Sequence, residues 1–267
     1  MRFCVLGGGS KGNATYVEAG ETRLLIDAGF SGKEIERRLL AIDVDPASLH
    51  AICLTHEHID HIRGAAILSR RYHVPVVVNR ATLAAAGSVL DNLVEAVFFE
   101  TGATIAFRDL HLHPFAISHD AADPVGFLCR ANTLTLGYCT DTGVASRLIS
   151  HRLSGCHGLV LECNHDIEML ANGPYPPPLK QRVRGKSGHL ANVEAAILLR
   201  GLLHDQLQHV VLSHLSETNN TPQLARAAVA AMLAAAAEEN APVPAVSLAC
   251  QDEPGEVVLL REGAWNR

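Results

Sequence analysis

Three imidazoles and two carboxylates fall within the run His56-Glu57-His58-Ile59-Asp60-His61, which Thr55 joins to the apolar Ala51-Ile52-Cys53-Leu54. Neutral imidazole nitrogens and carboxylate oxygens are good donors to zinc-class ions. A buried strand that ends in several polar residues needs something to satisfy them, and a metal ion does so. In extended backbone His56 and His58 point to one side and grip one ion together, while Asp60 and His61 turn to face another. Glu57 points the opposite way and is expected to anchor the loop. Zinc sites take three or four protein donors each, so more ligands must come from elsewhere. Candidates close three apolar runs: His119 after 110–118, Asp141 after 134–139 and His214 after 209–213. Strands running in the same sense would bring all three to one rim. His111 and His113 share strand parity with His119 and compete for its role, although their mid-run position favours His119. The set is complete enough for two divalent ions, with zinc, manganese and iron all compatible with these donors.

Further along, Lys180, Arg182, Arg184 and Lys186 stand at every second position. In extended backbone they form one cationic stripe able to follow successive phosphates. The Gly7-Gly8-Gly9-Ser10-Lys11-Gly12 segment has glycines at dinucleotide-binding spacing, but that fingerprint must open a helix. Here a second strand-like run, Thr15 to Glu18, follows, so the glycines are expected to make a hairpin turn.

These groups need positioning elements. Short β-branched runs at 3–6, 15–18, 23–26, 50–54 and 74–78 alternate with helical patterns at 32–40 and 62–71. The second half continues with strands near 104–107, 110–117, 125–130, 134–139, 158–162, 210–213, 246–250 and 257–260, and helices at 144–153, 191–203 and 222–238. This is α/β alternation. The prolines of Asn172 to Leu179 favour an extended surface excursion within a single domain covering 1–267.

Composition narrows the function. With 48% hydrophobic and 19% charged residues the chain can bury a core, which excludes wholesale disorder. No apolar run suits a membrane span, no signal-peptide core is evident, and a cytoplasmic location is expected. The seven cysteines form no CxxC pair and are expected to be mostly buried thiols. A net charge of -6 confines any nucleic-acid contact to a local patch. Aromatic residues are only 4% of the chain, so no stacking platform and no base-specific readout are expected.

The order HxHxDH, His, Asp, His resembles the metallo-β-lactamase fold superfamily of metallohydrolases, over nearly the whole chain. The resemblance implies an αββα sandwich, two mixed sheets face to face with helices outside and a dinuclear centre at one edge. It also implies that His56, His58 and His119 hold one ion, that Asp60, His61 and His214 hold the second, and that Asp141 bridges them. The Gly9 to Asn13 turn, Glu162 to Asp166, Ser187 to Asn192 and Ser213 to Asn220 resemble the YycJ/WalJ subfamily, regarded as 5′-to-3′ DNA exonucleases. A bridging carboxylate in place of a thiolate suits displacement at phosphorus by a hydroxide shared between the ions. Asp60, His165 and His189 are the candidate catalytic groups, the two histidines contacting the scissile phosphate or protonating the leaving group. Asn13, Lys180, Arg182, Arg184 and Lys186 are the candidate substrate contacts, with DNA as the expected partner. The alternatives are a small-molecule hydrolase of the same fold (cyclic phosphodiesterase, lactonase or thioesterase) and a non-catalytic binding module with a structural metal.

Overall fold

A computed structural model of the chain describes residues 1–263. Ser10 and Lys11 form a two-residue turn between β1 (Arg2–Gly9) and β2 (Gly12–Ala19), which pair antiparallel. The glycine-rich segment is therefore a hairpin and opens no helix. After β3 (Thr22–Ile26) come α1 (Gly32–Leu40) and β4 (Ala51–Cys53). Helices α2 (Ile59–Ile62) and α3 (Ala65–Tyr72) precede β5 (Val76–Val78), α4 (Arg80–Ala86) and β6 (Ala96–Phe98). The chain continues as β7 (Ile105–Phe107), β8 (Leu110–Ala116), β9 (Val125–Ala131), β10 (Leu134–Cys139), α5 (Arg147–Leu153) and β11 (Gly158–Glu162). Then follow α6 (Ile167–Asn172), α7 (Pro177–Val183), α8 (Asn192–Leu202), β12 (His209–Ser213), α9 (Pro222–Glu238), β13 (Ala245–Leu248) and β14 (Val258–Leu259).

The strands form two mixed sheets of seven, ordered β14-β1-β2-β3-β4-β5-β6 and β13-β12-β11-β10-β9-β8-β7. Phe3, Val17 and Ile26 of the first meet Phe127, Leu136 and Val160 of the second in a buried apolar layer. The outer face of the first sheet is covered through Ile35, Leu39 and Leu68 of α1 and α3. Ile149, Leu199 and Val229 of α5, α8 and α9 cover the second. The order helix, sheet, sheet, helix is the αββα sandwich that the motif order implied. Among the described residues no helix is long and apolar enough to cross a membrane. All seven cysteines are free, and only Cys250 departs from the expected burial.

Sheet direction decides where the polar strand ends meet. Strands β3, β4, β5 and β6 are mutually parallel, as are β10, β11, β12 and β13. Strand β8 is antiparallel to β9, which is antiparallel to β10, so β8 shares the direction of β10. The carboxyl ends of β4, β8, β10, β11 and β12 therefore lie on one rim, where ligands collect in α/β architectures. An isolated parallel bridge between Gly9 and Leu215 ties the two sheets together there.

Two sequence expectations about backbone are corrected. The helix expected over 62–71 is two helices broken at Gly64, whose amide donates to the Ala28 carbonyl at 2.7 Å and where a Cβ would lie 2.4 Å from the Phe30 carbonyl oxygen. The break leaves Asp60 and His61 on the short α2, turned toward the rim. The extended excursion expected through the prolines is likewise wrong from Pro177 on. Proline at the first helical positions is preorganised for a helix, because its φ already fits and its missing N–H would be unpaired there. Helix α7 therefore runs through Lys180 and Arg182, and no single cationic stripe forms.

Candidate metal centre

His56 Nε2 and His119 Nε2 lie 3.1 Å and 3.2 Å from His58 Nδ1. Across the rim, His61 Nε2 is 3.5 Å from both Asp60 Oδ2 and Asp141 Oδ2, and His214 Nε2 is 3.2 Å from Asp141 Oδ1. Donors about 2.05 Å from a tetrahedral ion stand about 3.3 Å apart, so these separations are those of ligands around a common centre. Two centres emerge: His56, His58 and His119 at one, Asp60, His61 and His214 at the other, with ligand atoms in each group within 4.8 Å of one another. Asp141 lies between them, grouped with His56 and His61 and 3.9 Å from His119 Nε2. His214 Nε2 and Asp141 Oδ2 are buried with no hydrogen-bond partner among the described residues, orphans that a cation would satisfy. The donor set fits divalent metal ions.

The outer nitrogens of the histidines explain which nitrogen faces the centre. His56 Nδ1 meets Thr55 Oγ1 at 2.9 Å, His61 Nδ1 meets Asp27 Oδ2 at 2.8 Å, His119 Nδ1 meets the Gly188 carbonyl at 3.2 Å and His214 Nδ1 meets Glu162 Oε1 at 3.1 Å. A partner on one ring nitrogen fixes the tautomer and aims the other lone pair inward. Asp27, Asp141 and His214 all have φ near +60°. The left-handed backbone turns each side chain out of its strand's direction and into the rim, at a cost that the surrounding contacts must offset. Gly29 permits the packing, because a Cβ there would sit 1.6 Å from the Asp60 carbonyl oxygen.

Crowded carboxylates govern the charges. Burial disfavours a proton on His61, yet Asp141, Asp27 and Asp60 outweigh it and raise the His61 pKa well above its ordinary value. Burial likewise opposes charge on His214, while Asp141, Asp60 and Glu162 lift its pKa to about 10. His56, buried and facing other imidazoles, is pushed well below its ordinary value. Metal at the Asp60 centre must therefore displace protons from His61 and His214. Titrating zinc into the metal-free protein at pH 7 is expected to release roughly two protons, read from the buffer dependence of the calorimetric heat. Affinity should rise with pH toward about 10; heats independent of buffer would contradict this.

The metallo-beta-lactamase superfamily pattern matches residues 7–133. The chain is 37% identical over 235 residues to a Bacillus anthracis protein named exodeoxyribonuclease YycJ, covering 87% of this chain and 89% of that one. This chain belongs to the YycJ/WalJ family of the metallo-β-lactamase superfamily. It is also 35% identical over 241 residues to a Streptococcus pneumoniae serotype 2 protein named exodeoxyribonuclease WalJ, covering 88% of this chain and 89% of that one. The metallo-β-lactamase fold protein YhfI of Bacillus subtilis superposes with a TM-score of 0.72 at 14% identity, covering 95% of this chain and 98% of that one, a likeness of fold.

The rim of this chain gathers all seven residues expected as ligands, and His189 stands beside them, its ring 5.1 Å from those of His119 and His214. Glu57 anchors the loop as expected, accepting from the Ala122 amide at 2.8 Å. His113 instead meets Thr104 Oγ1 at 2.9 Å, and His111 is exposed, so neither competes with His119. Three other expectations need correction. His165 lies outside the metal cleft and lines a neighbouring one, while the adjacent Asn164 lines the metal cleft. Asn13 is only 1% exposed: its amide nitrogen lies 3.2 Å from Asp60 Oδ2 and 3.1 Å from His61 Nε2, so it packs against the centre instead of meeting substrate in the open. Of the four cations only Arg182 reaches the metal cleft, where it donates to Asp120 at 2.6 Å; Lys180 and Arg184 face the neighbouring cleft and Lys186 a third hollow.

The orienting carboxylates Asp27 and Glu162 were missed as functional residues. Each ends or follows a strand, which was the available signal, but their partners lie far away in sequence. Asp27 accepts from the Thr55 amide and hydroxyl as well as from His61. Asp27→Asn keeps the shape and tolerates the left-handed backbone while removing the charge. It is expected to weaken metal binding about 10- to 100-fold, measured by competition with a chromophoric chelator. Unchanged affinity would remove Asp27 from the orienting role.

Proposed function

We propose that the chain is a metal-dependent phosphodiesterase that degrades DNA from an end, 5′ to 3′, acting as one cytoplasmic domain with two divalent ions. The observation that carries this reading is the shared Asp141 carboxylate between two imidazole-rich centres at the floor of an open cleft. His56, His58 and His119 would hold one ion, and Asp60, His61 and His214 the other. When bound, paired divalent ions supply Lewis acidity and a water ionised at neutral pH, which suits in-line displacement at phosphorus. A donor set of imidazoles and carboxylates without thiolate accommodates zinc, manganese or iron.

The chain's own groups supply the rest. Arg182 at the cleft wall offers planar paired donors that match a phosphate. His189 Nδ1 lies 2.8 Å from the buried Glu162 Oε1, which fixes the ring and leaves Nε2 for the cleft. From there it can hold a proton for the departing oxygen. Preference for DNA is supported by the two relatives that carry the name exodeoxyribonuclease. The metal cleft itself is small, about 210 Å³, which favours a small phosphodiester as the second reading.

One panel separates these readings. Metal-loaded protein is assayed on 5′-labelled single- and double-stranded DNA, on RNA, on bis-p-nitrophenyl phosphate, on a lactone and on a glutathione thioester. Early release of the 5′ label from DNA as a mononucleotide or short oligonucleotide supports the proposal, whereas a ladder of shortened labelled strands would report the opposite polarity. Preference for the lactone or thioester overturns it, and cleavage of the small diester alone supports the second reading.

A further inference from the structure

Helix α7 is the wall between two clefts. Its Leu179, Arg182 and Val183 face the metal centre, whereas Lys180, Gln181 and Arg184 line a second cleft of about 380 Å³ on its other side. The second cleft has the volume of small-molecule sites. Ile167, Leu170, Ala171 and Pro177 give it apolar walls. Its polar groups are few and mixed. Glu194 accepts the Ala191 amide hydrogen at 2.9 Å and keeps acceptor capacity for an exocyclic amine. His165 lines the cleft while only 2% exposed, and its Nδ1 has no hydrogen-bond partner among the described residues. Burial holds its pKa down to about 4, so the ring is neutral and can either donate or accept at pH 7. Lys180 Nζ donates to the Ala171 carbonyl at 2.7 Å, and Arg184 has no ion-pair partner among the described residues.

We propose that this second cleft receives the base of a nucleotide flanking the scissile phosphate, with Arg184 and Lys180 meeting the adjoining backbone. The inference rests on the nuclease reading above. Apolar walls accept the flat face of any base, and the neutral polar edge groups satisfy its rim without requiring one sequence. The cations have the sign that phosphate requires. Proximity is the strongest argument, since Arg182 at the metal cleft and Arg184 at the second cleft are neighbours on the same wall. The low aromatic content that argued against a stacking platform leaves this role to aliphatic walls.

The test fills the cleft and, separately, removes the base. Ala171 is exposed on α6, so Ala171→Trp places bulk in the cleft away from the metal ligands. It is expected to raise KM for a single-stranded oligonucleotide about tenfold or more while turnover of bis-p-nitrophenyl phosphate is retained. Oligonucleotides with an abasic residue at either position flanking the first scissile phosphate provide the second arm. The wild-type protein should lose about tenfold or more in kcat/KM on one of them, and Ala171→Trp should lose nothing further. Equal rates on abasic and intact strands overturn the base cleft and leave the nuclease reading standing. A parallel fall of Ala171→Trp on DNA and the small diester reports damage to the metal centre, and the abasic strands on the wild-type protein then decide. A wild-type protein that cleaves the small diester and no oligonucleotide ends both.

Discussion

Asp141→Asn is expected to lower turnover on phosphodiesters by about a thousandfold and to reduce bound metal from two equivalents toward one. The carboxylate is buried and stands between the two groups: Oδ1 lies 3.2 Å from His214 Nε2 and 3.9 Å from His119 Nε2, and Oδ2 lies 3.5 Å from His61 Nε2. Replacing one oxygen by an amide removes the charge that draws two cations together and substitutes a donor for an acceptor. Asparagine is the informative substitution because residue 141 has φ of 58°, which asparagine tolerates and alanine does not. Alanine would mix backbone strain with lost coordination. Burial acts to raise the Asp141 pKa, but His214 and His61 hold it below its ordinary value, so the wild-type group is ionised at neutral pH. Metal content and turnover measured on the same sample decide the matter. Two equivalents of metal together with wild-type turnover would refute a shared carboxylate.

His189→Ala is expected to cut turnover on DNA by about 10²- to 10⁴-fold while leaving bis-p-nitrophenyl phosphate nearly untouched. The difference lies in the leaving group. A sugar alkoxide needs a proton as it departs, whereas p-nitrophenolate is stable without one. His189 is placed for that task by the Glu162 carboxylate at 2.8 Å, and its side chain is 18% exposed at the cleft. Glu162 also holds His214 at 3.1 Å, so Glu162→Gln would disturb metal and proton together and is the weaker test. Comparing the two substrates across a pH series separates the roles. Equal losses on both would make His189 a packing residue between His119 and His214.

The clustered candidate ligands were legible because each is announced locally. His56 to His61 follow an apolar run, and His119, Asp141 and His214 each close one. Strand-end polarity is a short-range signal that survives without knowledge of neighbours. Helices α1 and α9 were legible from their own local residue patterns, and in the structure Ser31 and Thr221 cap them. Helix α7 was not, because three prolines read as an extended segment when the local fit of proline to a helix start is overlooked. That misreading merged four cations into one stripe and hid the wall between two clefts.

What the sequence by itself determined is the chemistry: imidazoles and acids at strand ends, α/β alternation, and a donor set suited to two divalent ions. Residue types and periodicity are local properties, and they persist in any register. Only the tertiary structure decided that Asp27 orients His61 across 34 positions, that Glu162 joins His189 to His214, and that His165 turns into a separate cleft. Those assignments depend on parallel strand pairing and on left-handed turns at Asp27, Asp141 and His214. Both follow from packing two sheets against each other, an energy summed over contacts distant in the chain and therefore invisible in any single stretch of it.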